Sequence, residues 1–266
     1  MAEIDPPQNS TTPILAAKDY SAPSVFNVEN LMREARRQKR LSSAQVPPIC
    51  VLDPDGDLVD YLRASGQAQP DPTWACYHTA LYHFVQHGRS IGIIGRVVGA
   101  SFAVLVAEEL FASGCQLLIS VTSAGQIRSL ATPPYVMLIE QALRDEGTSY
   151  HYLPPARYSA LLPNLRDRVL NGWDHTQITL YSGASWTTDA PFRETEAAIA
   201  VAQAEGIAAV EMEAAALYAL ATAKKYPIIC FAYVTNTMAQ AGEDFEKGPD
   251  QGSHVLLCLI SQVSRL

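Results

Sequence analysis

The segment from Ile91 to Gly125 constrains the fold of this chain more than any other stretch. Ile91–Ile94 and Leu117–Val121 are short apolar runs, the pattern of strands buried on both faces. Between them lie a turn marked by Gly95, Gly99 and Ser101, a helix-forming stretch carrying Glu108 and Glu109, and Gly114 as a stop. Two strands joined through a helix run parallel, because a parallel pair needs a long crossover. Further apolar runs at Ile49–Leu52, 178–183 and Ile228–Val234 extend the alternation. The expected architecture is a three-layer α/β single domain with a central mixed, largely parallel sheet flanked by helices, and a site at the C-terminal ends of the strands.

The chain of 266 residues is 48% hydrophobic and 17% charged, which suits a compact enzyme-sized domain. A net charge of −8 disfavours nucleic acid and polybasic membrane anchoring as partners. Five cysteines stand singly, without a C-x-x-C pair, so neither a disulfide framework nor a zinc site is expected. No run approaches the ~18 apolar residues of a membrane span and no signal peptide is evident, so a cytoplasmic home is expected. Residues 1–45 read as an N-terminal arm followed by a basic amphipathic helix, with Val28, Leu31, Met32 and Ala35 on one face and arginines on the rest. Residues 46–266 form the α/β domain.

Several segments permit local expectations. Pro133-Pro134 reads as the start of a helix with Val136, Ile139, Ala142 and Leu143 on one face and Gly147 as its stop. His78, His83 and His87 are spaced so that they do not share one face, and no metal is expected. Asp53, Asp55 and Asp57 fall in a turn after the first strand and read as a polar loop that would repel a dianion. Residues 150–175 form an irregular excursion, 239–250 a polar loop, and Val255–Val263 a closing apolar helix.

The stretch Gly206–Ala221, GIAAVEMEAAALYALA, places Glu211 and Glu213 at the junction between a short buried strand and an Ala-rich helix. Two readings are open. Both carboxylates cap the helix, where its free N–H groups favour negative charge, or one faces a pocket and accepts hydrogen bonds from a pair of vicinal hydroxyls.

VEMEAAALY, together with 91–127 and the SWTTDAPFRE segment, resembles the nucleoside phosphorylase family, which comprises purine nucleoside and uridine phosphorylases and hydrolytic nucleosidases. The resemblance extends from about Ile49 to the C-terminus. It implies that Met212 packs on a ribose and that Glu213, with Glu211 beside it, binds the ribose hydroxyls. It also implies that Trp186 stacks on the base, although an indole is equally a common core filler, and that Asp189 orders its loop. The strand ending at Thr235-Asn236-Thr237 is more similar to uridine phosphorylases, which implies that Asn236 polarises the leaving base. Where the family carries phosphate-binding arginines this chain has the 53–57 acidic turn and Ser120. Arg96 in the glycine turn is then the substitute phosphate donor, assisted by Ser123.

Three functions stay open at this level: phosphorolysis of a nucleoside to free base and ribose 1-phosphate, hydrolysis by a nucleosidase, and nucleoside binding without catalysis. No cofactor is implied beyond inorganic phosphate as co-substrate, and the family resemblance implies a homo-oligomer.

Overall fold

The computed structural model describes residues 12–238 and 244–266. Helix α1 (Val28–Lys39) begins at Asn27, whose side chain accepts the Asn30 N–H, and buries Met32 and Ala35 in the main core. The apolar face expected from spacing is therefore part of the domain's own core.

Strand β1 (Ile49–Asp53) leads through the acidic turn into α2 (Asp57–Ala64). The short β2 (Gln69–Pro70) and β3 (Tyr82–Gln86) precede β4 (Arg89–Gly95), α3 (Ala100–Ala112) and β5 (Leu117–Gln126). The histidine-bearing segment thus holds a strand. As anticipated, β4 and β5 are parallel members of one sheet, each pairing with β1 between them.

Residues 135–145 are a strand, β6 (Tyr135–Asp145), and the helix expected after Pro133-Pro134 is absent. The helical spacing of Val136, Ile139 and Leu143 is incidental to a run, Tyr135–Ile139, that is buried throughout between β8 and β10, and short apolar runs are ambiguous on periodicity alone. The following excursion contains β7 (Tyr158–Ala160) and α4 (Pro163–Gly172). Next comes β8 (Leu180–Thr188), which continues five residues past Gly183 because its second half pairs with β6 on one side and β9 on the other. SWTT is therefore strand, and the loop starts at Asp189.

Helix α5 (Glu196–Ala204), β9 (Ala209–Glu211), α6 (Ala214–Lys224), β10 (Ile228–Asn236) and α7 (Ser253–Val263) complete the chain. All strands belong to one mixed sheet in the order β10-β6-β8-β9-β5-β1-β4-β3-β2, with β7 on β6. Because β10 also pairs with β5, strands β5, β10, β6, β8 and β9 close into a ring. Helices flank the sheet: α3 packs between α1 and α6, and α2 packs against α7. All nine residues of β10 are buried, as are Ala214–Ala221 of α6, so this apolar helix and strand form the centre of the core.

Candidate active site

The ends of β5, β9 and β10, with the loops that follow β1 and β8, form a cleft of about 390 Å³. Its lining includes Asp55, Thr122, Ser123, Gly125, Glu211, Met212, Glu213 and Asn236, with Val98, Phe192, Met238 and Phe245 as apolar walls. A cavity of 530 Å³ near Tyr135, Tyr181 and Tyr233 is larger, but no carboxylate lines it.

The two glutamates of the β9–α6 junction are built differently. Glu211 is buried and accepts from the Ser185 hydroxyl at 2.9 Å, from the Thr187 hydroxyl, and from the backbone N–H groups of Glu213 and Ala214 at 2.7 Å each. It is the carboxylate that caps α6. Glu213 occupies the N-cap position, yet its side chain makes no cap bond. One of its oxygens accepts the Gly99 N–H at 2.7 Å; the other is buried without a well-formed hydrogen bond, the nearby Thr122 hydroxyl giving only partial support to the charged form. Gly99 has φ +92°, a conformation that L side chains rarely adopt, and this turn aims its N–H at the glutamate. Burial, and then the neighbouring Glu211 charge, push the Glu213 carboxyl up to about 8.

Asn236 is 7% exposed and pairs in register with Gly125 across β10 and β5. Its Oδ1 accepts the Met238 N–H at 3.0 Å, while its Nδ2 makes only long contacts of 3.4 Å to the Ala124 carbonyl and 3.3 Å to Thr235 Oγ1. Both Nδ2 hydrogens are thus engaged, but by long bonds that a stronger acceptor in the cleft would displace. A Cβ on Gly125 would meet Met238 Sδ at 2.3 Å and Asn236 Oδ1 at 3.2 Å, so any larger residue there would push Met238 aside and crowd the Asn236 amide. The strand end is tied to the following loop by Thr237, whose N–H donates to Asp244 at 2.9 Å.

Two expected site residues lie elsewhere. Trp186 is 5% exposed and packs with Ile127, Ala202, Ile207 and Val210, its Nε1 donating to Asp145 at 2.9 Å. It fills core, because alternation along the extended β8 turns it away from the cleft. Arg96 is an exposed residue that pairs with Asp60 of α2 and lies across Gly56. That position makes it a brace for α2, outside the cleft lining. Asp189 accepts the Gly147 N–H at 2.9 Å and so ties its loop to the chain after β6.

The acidic turn divides its labour. Asp53 is buried and accepts the N–H groups of Gly56 (3.2 Å) and Val59 (2.9 Å), capping α2, with burial raising its carboxyl to about 7. Asp55 accepts the Ser123 N–H at 3.1 Å and the Ser123 hydroxyl at 2.9 Å. Lys247 bridges Asp55 at 3.1 Å and Asp57 at 2.6 Å. Ser123 thus lines the cleft with its donors engaged by an aspartate. Among the described residues no group of three or more His, Cys, Asp or Glu side chains could hold a metal ion, and no helix is long and apolar enough to cross a membrane.

Sequence reasoning missed Phe192, Phe245 and Lys247. Phe192 is 99% exposed on the helical turn Pro191–Arg193 at the cleft rim. An aromatic inside the Asp189–Glu194 loop was a readable sign of it, since a large apolar side chain in a polar loop lacks a core role. Lys247 lay in a stretch read only as polar loop, and nothing local ties it to residues almost two hundred positions away.

The family model described as the phosphorylase superfamily matches residues 48–255, most of the chain. The chain belongs to the phosphorylase superfamily. Solved structures with the same fold include uridine phosphorylase from Vibrio fischeri ES114, at 18% identity and a TM-score of 0.69 over 85% of this chain and 95% of that one. Purine nucleoside phosphorylase from Toxoplasma gondii, solved with immucillin-H, matches at 16% identity and a TM-score of 0.69 over 85% and 92%. As a superfamily member the chain carries its β9–α6 glutamates and its β5 and β10 ends on a phosphorylase fold.

Proposed function

We propose that this chain cleaves the N-glycosidic bond of a nucleoside by phosphorolysis, giving free base and pentose 1-phosphate. The observation that carries the reading is Glu213: a 2% exposed carboxyl in the cleft, anchored by Gly99 through one oxygen and unpartnered at the other. An unmet buried acceptor costs about 1–3 kcal/mol, and a small rotation of the Glu213 side chain toward the cleft would let a pair of vicinal hydroxyls from a pentose satisfy it with charge-assisted hydrogen bonds. Met212, adjacent in the lining, offers the apolar surface for the sugar ring.

In the reaction a phosphate oxygen bonds to the anomeric carbon as the carbon–nitrogen bond breaks, and that electron pair leaves with the base. Positive charge on the sugar and negative charge on the base develop together, so donors aimed at the base lower the barrier. Asn236 Nδ2 supplies such a donor, and solvent then protonates the released base. The faces of Phe192 and Phe245 at the rim take the stacking role first assigned to Trp186. A homo-oligomer and a cytoplasmic home belong to the same reading.

Hydrolysis is the second reading. The observation favouring it is the Asp55 carboxylate lying where Ser123 would receive an anion. Incubating the purified protein with uridine, inosine and adenosine, with and without inorganic phosphate, tests both. Phosphate-dependent appearance of base and ribose 1-phosphate is expected. Equal base release without phosphate would establish hydrolysis, and no release from any nucleoside would overturn the catalytic reading.

A further inference from the structure

Three donors of the kind that bind oxyanions converge beside Glu213: the Ser123 backbone N–H, the Ser123 hydroxyl and the Lys247 ammonium. In this structure all three meet one carboxylate, at 3.1, 2.9 and 3.1 Å from the oxygens of Asp55. We propose that Asp55 is the residue that controls entry of the phosphate nucleophile, its carboxylate occupying the donors that a phosphate would otherwise take. The inference rests on the reading of the cleft as a phosphorolytic site.

The geometry supports a replaceable occupant. Asp55, Ser123 and Glu213 line the same cleft, so an anion seated on the Ser123 donors shares that cleft with the residue assigned to the sugar. The Asp55 side chain is 31% exposed and has solvent to rotate into, whereas Lys247 is 17% exposed and also held by Asp57 at 2.6 Å. When Asp55 swings out, the ammonium and the Ser123 donors remain in place. When it stays, a phosphate dianion finds the donors saturated and meets a carboxylate a few ångströms away, which repels it by an amount that low local dielectric magnifies.

Charge bookkeeping gives the direction of the effect. Lys247 faces Asp55 and Asp57, and Asp53 lies beneath them, so the cluster with Asp55 in place carries an excess of carboxylates over ammonium. Removing the Asp55 charge leaves Lys247 paired with Asp57 alone and frees both Ser123 donors. Phosphate affinity should then rise, while the sugar and base contacts, made by other residues, keep theirs.

The test is direct phosphate binding to the full-length chain, read by ³¹P NMR line broadening and by thermal shift with inorganic phosphate, in wild type, Asp55→Asn and Asp55→Ala. The alanine variant guards against an asparagine that reoccupies Ser123. Expected is a phosphate Kd at least tenfold lower in Asp55→Ala, a parallel drop in the phosphate KM, and a nucleoside KM within about twofold of wild type. Phosphate affinity unchanged or weakened in both variants would overturn the proposal. So would a collapse of base release in both variants at every phosphate concentration, which would make Asp55 a group acting on the nucleophile itself. Because binding is measured without turnover, an inactive wild type would reject the functional reading while still deciding the role of Asp55.

Discussion

Glu211 and Glu213 are two residues apart, and their carboxylates differ in hydrogen bonding as much as two buried acids can. Glu211 accepts four hydrogen bonds and holds the start of α6, whereas Glu213 accepts one from Gly99 and keeps its other oxygen buried without a hydrogen bond. The difference follows from direction. Glu211 ends a strand between β5 and β8 and points at the hydroxyls of Ser185 and Thr187, while Glu213, past the bend at Met212, reaches the Gly99 N–H in the glycine turn before α3.

Glu213→Gln keeps the shape and removes the charge. Turnover should fall by about ten- to a hundredfold, since hydrogen bonds to a charged acceptor contribute roughly 1.5–3 kcal/mol, with Tm unchanged or higher. The raised carboxyl also predicts a pH dependence. Its folded value of about 8 lies above the ordinary 4.5, so its contribution to stability is complete below pH 4.5 and is lost as the pH rises through 8. Wild type should lose stability, on the order of a few kcal/mol, across that window, and Glu213→Gln should flatten the curve. In wild type kcat/KM should rise toward pH 8 as the carboxylate forms. Urea unfolding and pH–rate profiles of both proteins check this.

Glu211→Gln should show the opposite pattern. An amide cannot accept all four donors, and stranding one in the core costs about 1–3 kcal/mol, so Tm should fall clearly. Any loss of activity should track the loss of folded protein. A Glu211→Gln variant that melts like wild type but is inactive would place Glu211 on the substrate.

Trp186 and Phe192 separate core from cleft. Trp186→Ala should destabilise by roughly 3–5 kcal/mol through the cavity it leaves and should spare nucleoside KM in the folded fraction. Phe192→Ala should leave Tm alone and raise nucleoside KM about tenfold, within the roughly 1–3 kcal/mol of base stacking. The reverse outcome, measured by steady-state kinetics and calorimetry, would restore the base to Trp186.

Arg96→Ala should leave the phosphate KM unchanged. The guanidinium is exposed and paired with Asp60, and its loss removes a screened surface contact with little effect on Tm. A large increase in phosphate KM would return Arg96 to the anion site.

Much of this protein was legible in its sequence. Buried parallel strands announced themselves as unbroken apolar runs, the glycine turn before α3 and the acid-rich junction before α6 marked the cleft, and Asn236 was placed at a strand end beside it. These are local properties, in which side-chain chemistry and backbone preference act over a few residues. Where the local pattern was ambiguous the neighbours decided. Tyr135–Asp145 became a strand because β8 and β10 hydrogen-bond to it, and β8 ran on to Thr188 because β9 extended its ladder, turning Trp186 into the core. The partners of charged side chains depended on the tertiary structure altogether. Asp60 taking Arg96, Asp55 taking Ser123, and Lys247 crossing to the turn after β1 are contacts between distant segments. Long-range electrostatic pairing has no period or motif to read, so only the folded chain could decide which carboxylate caps a helix, which takes the Ser123 donors and which is left with an unpaired oxygen.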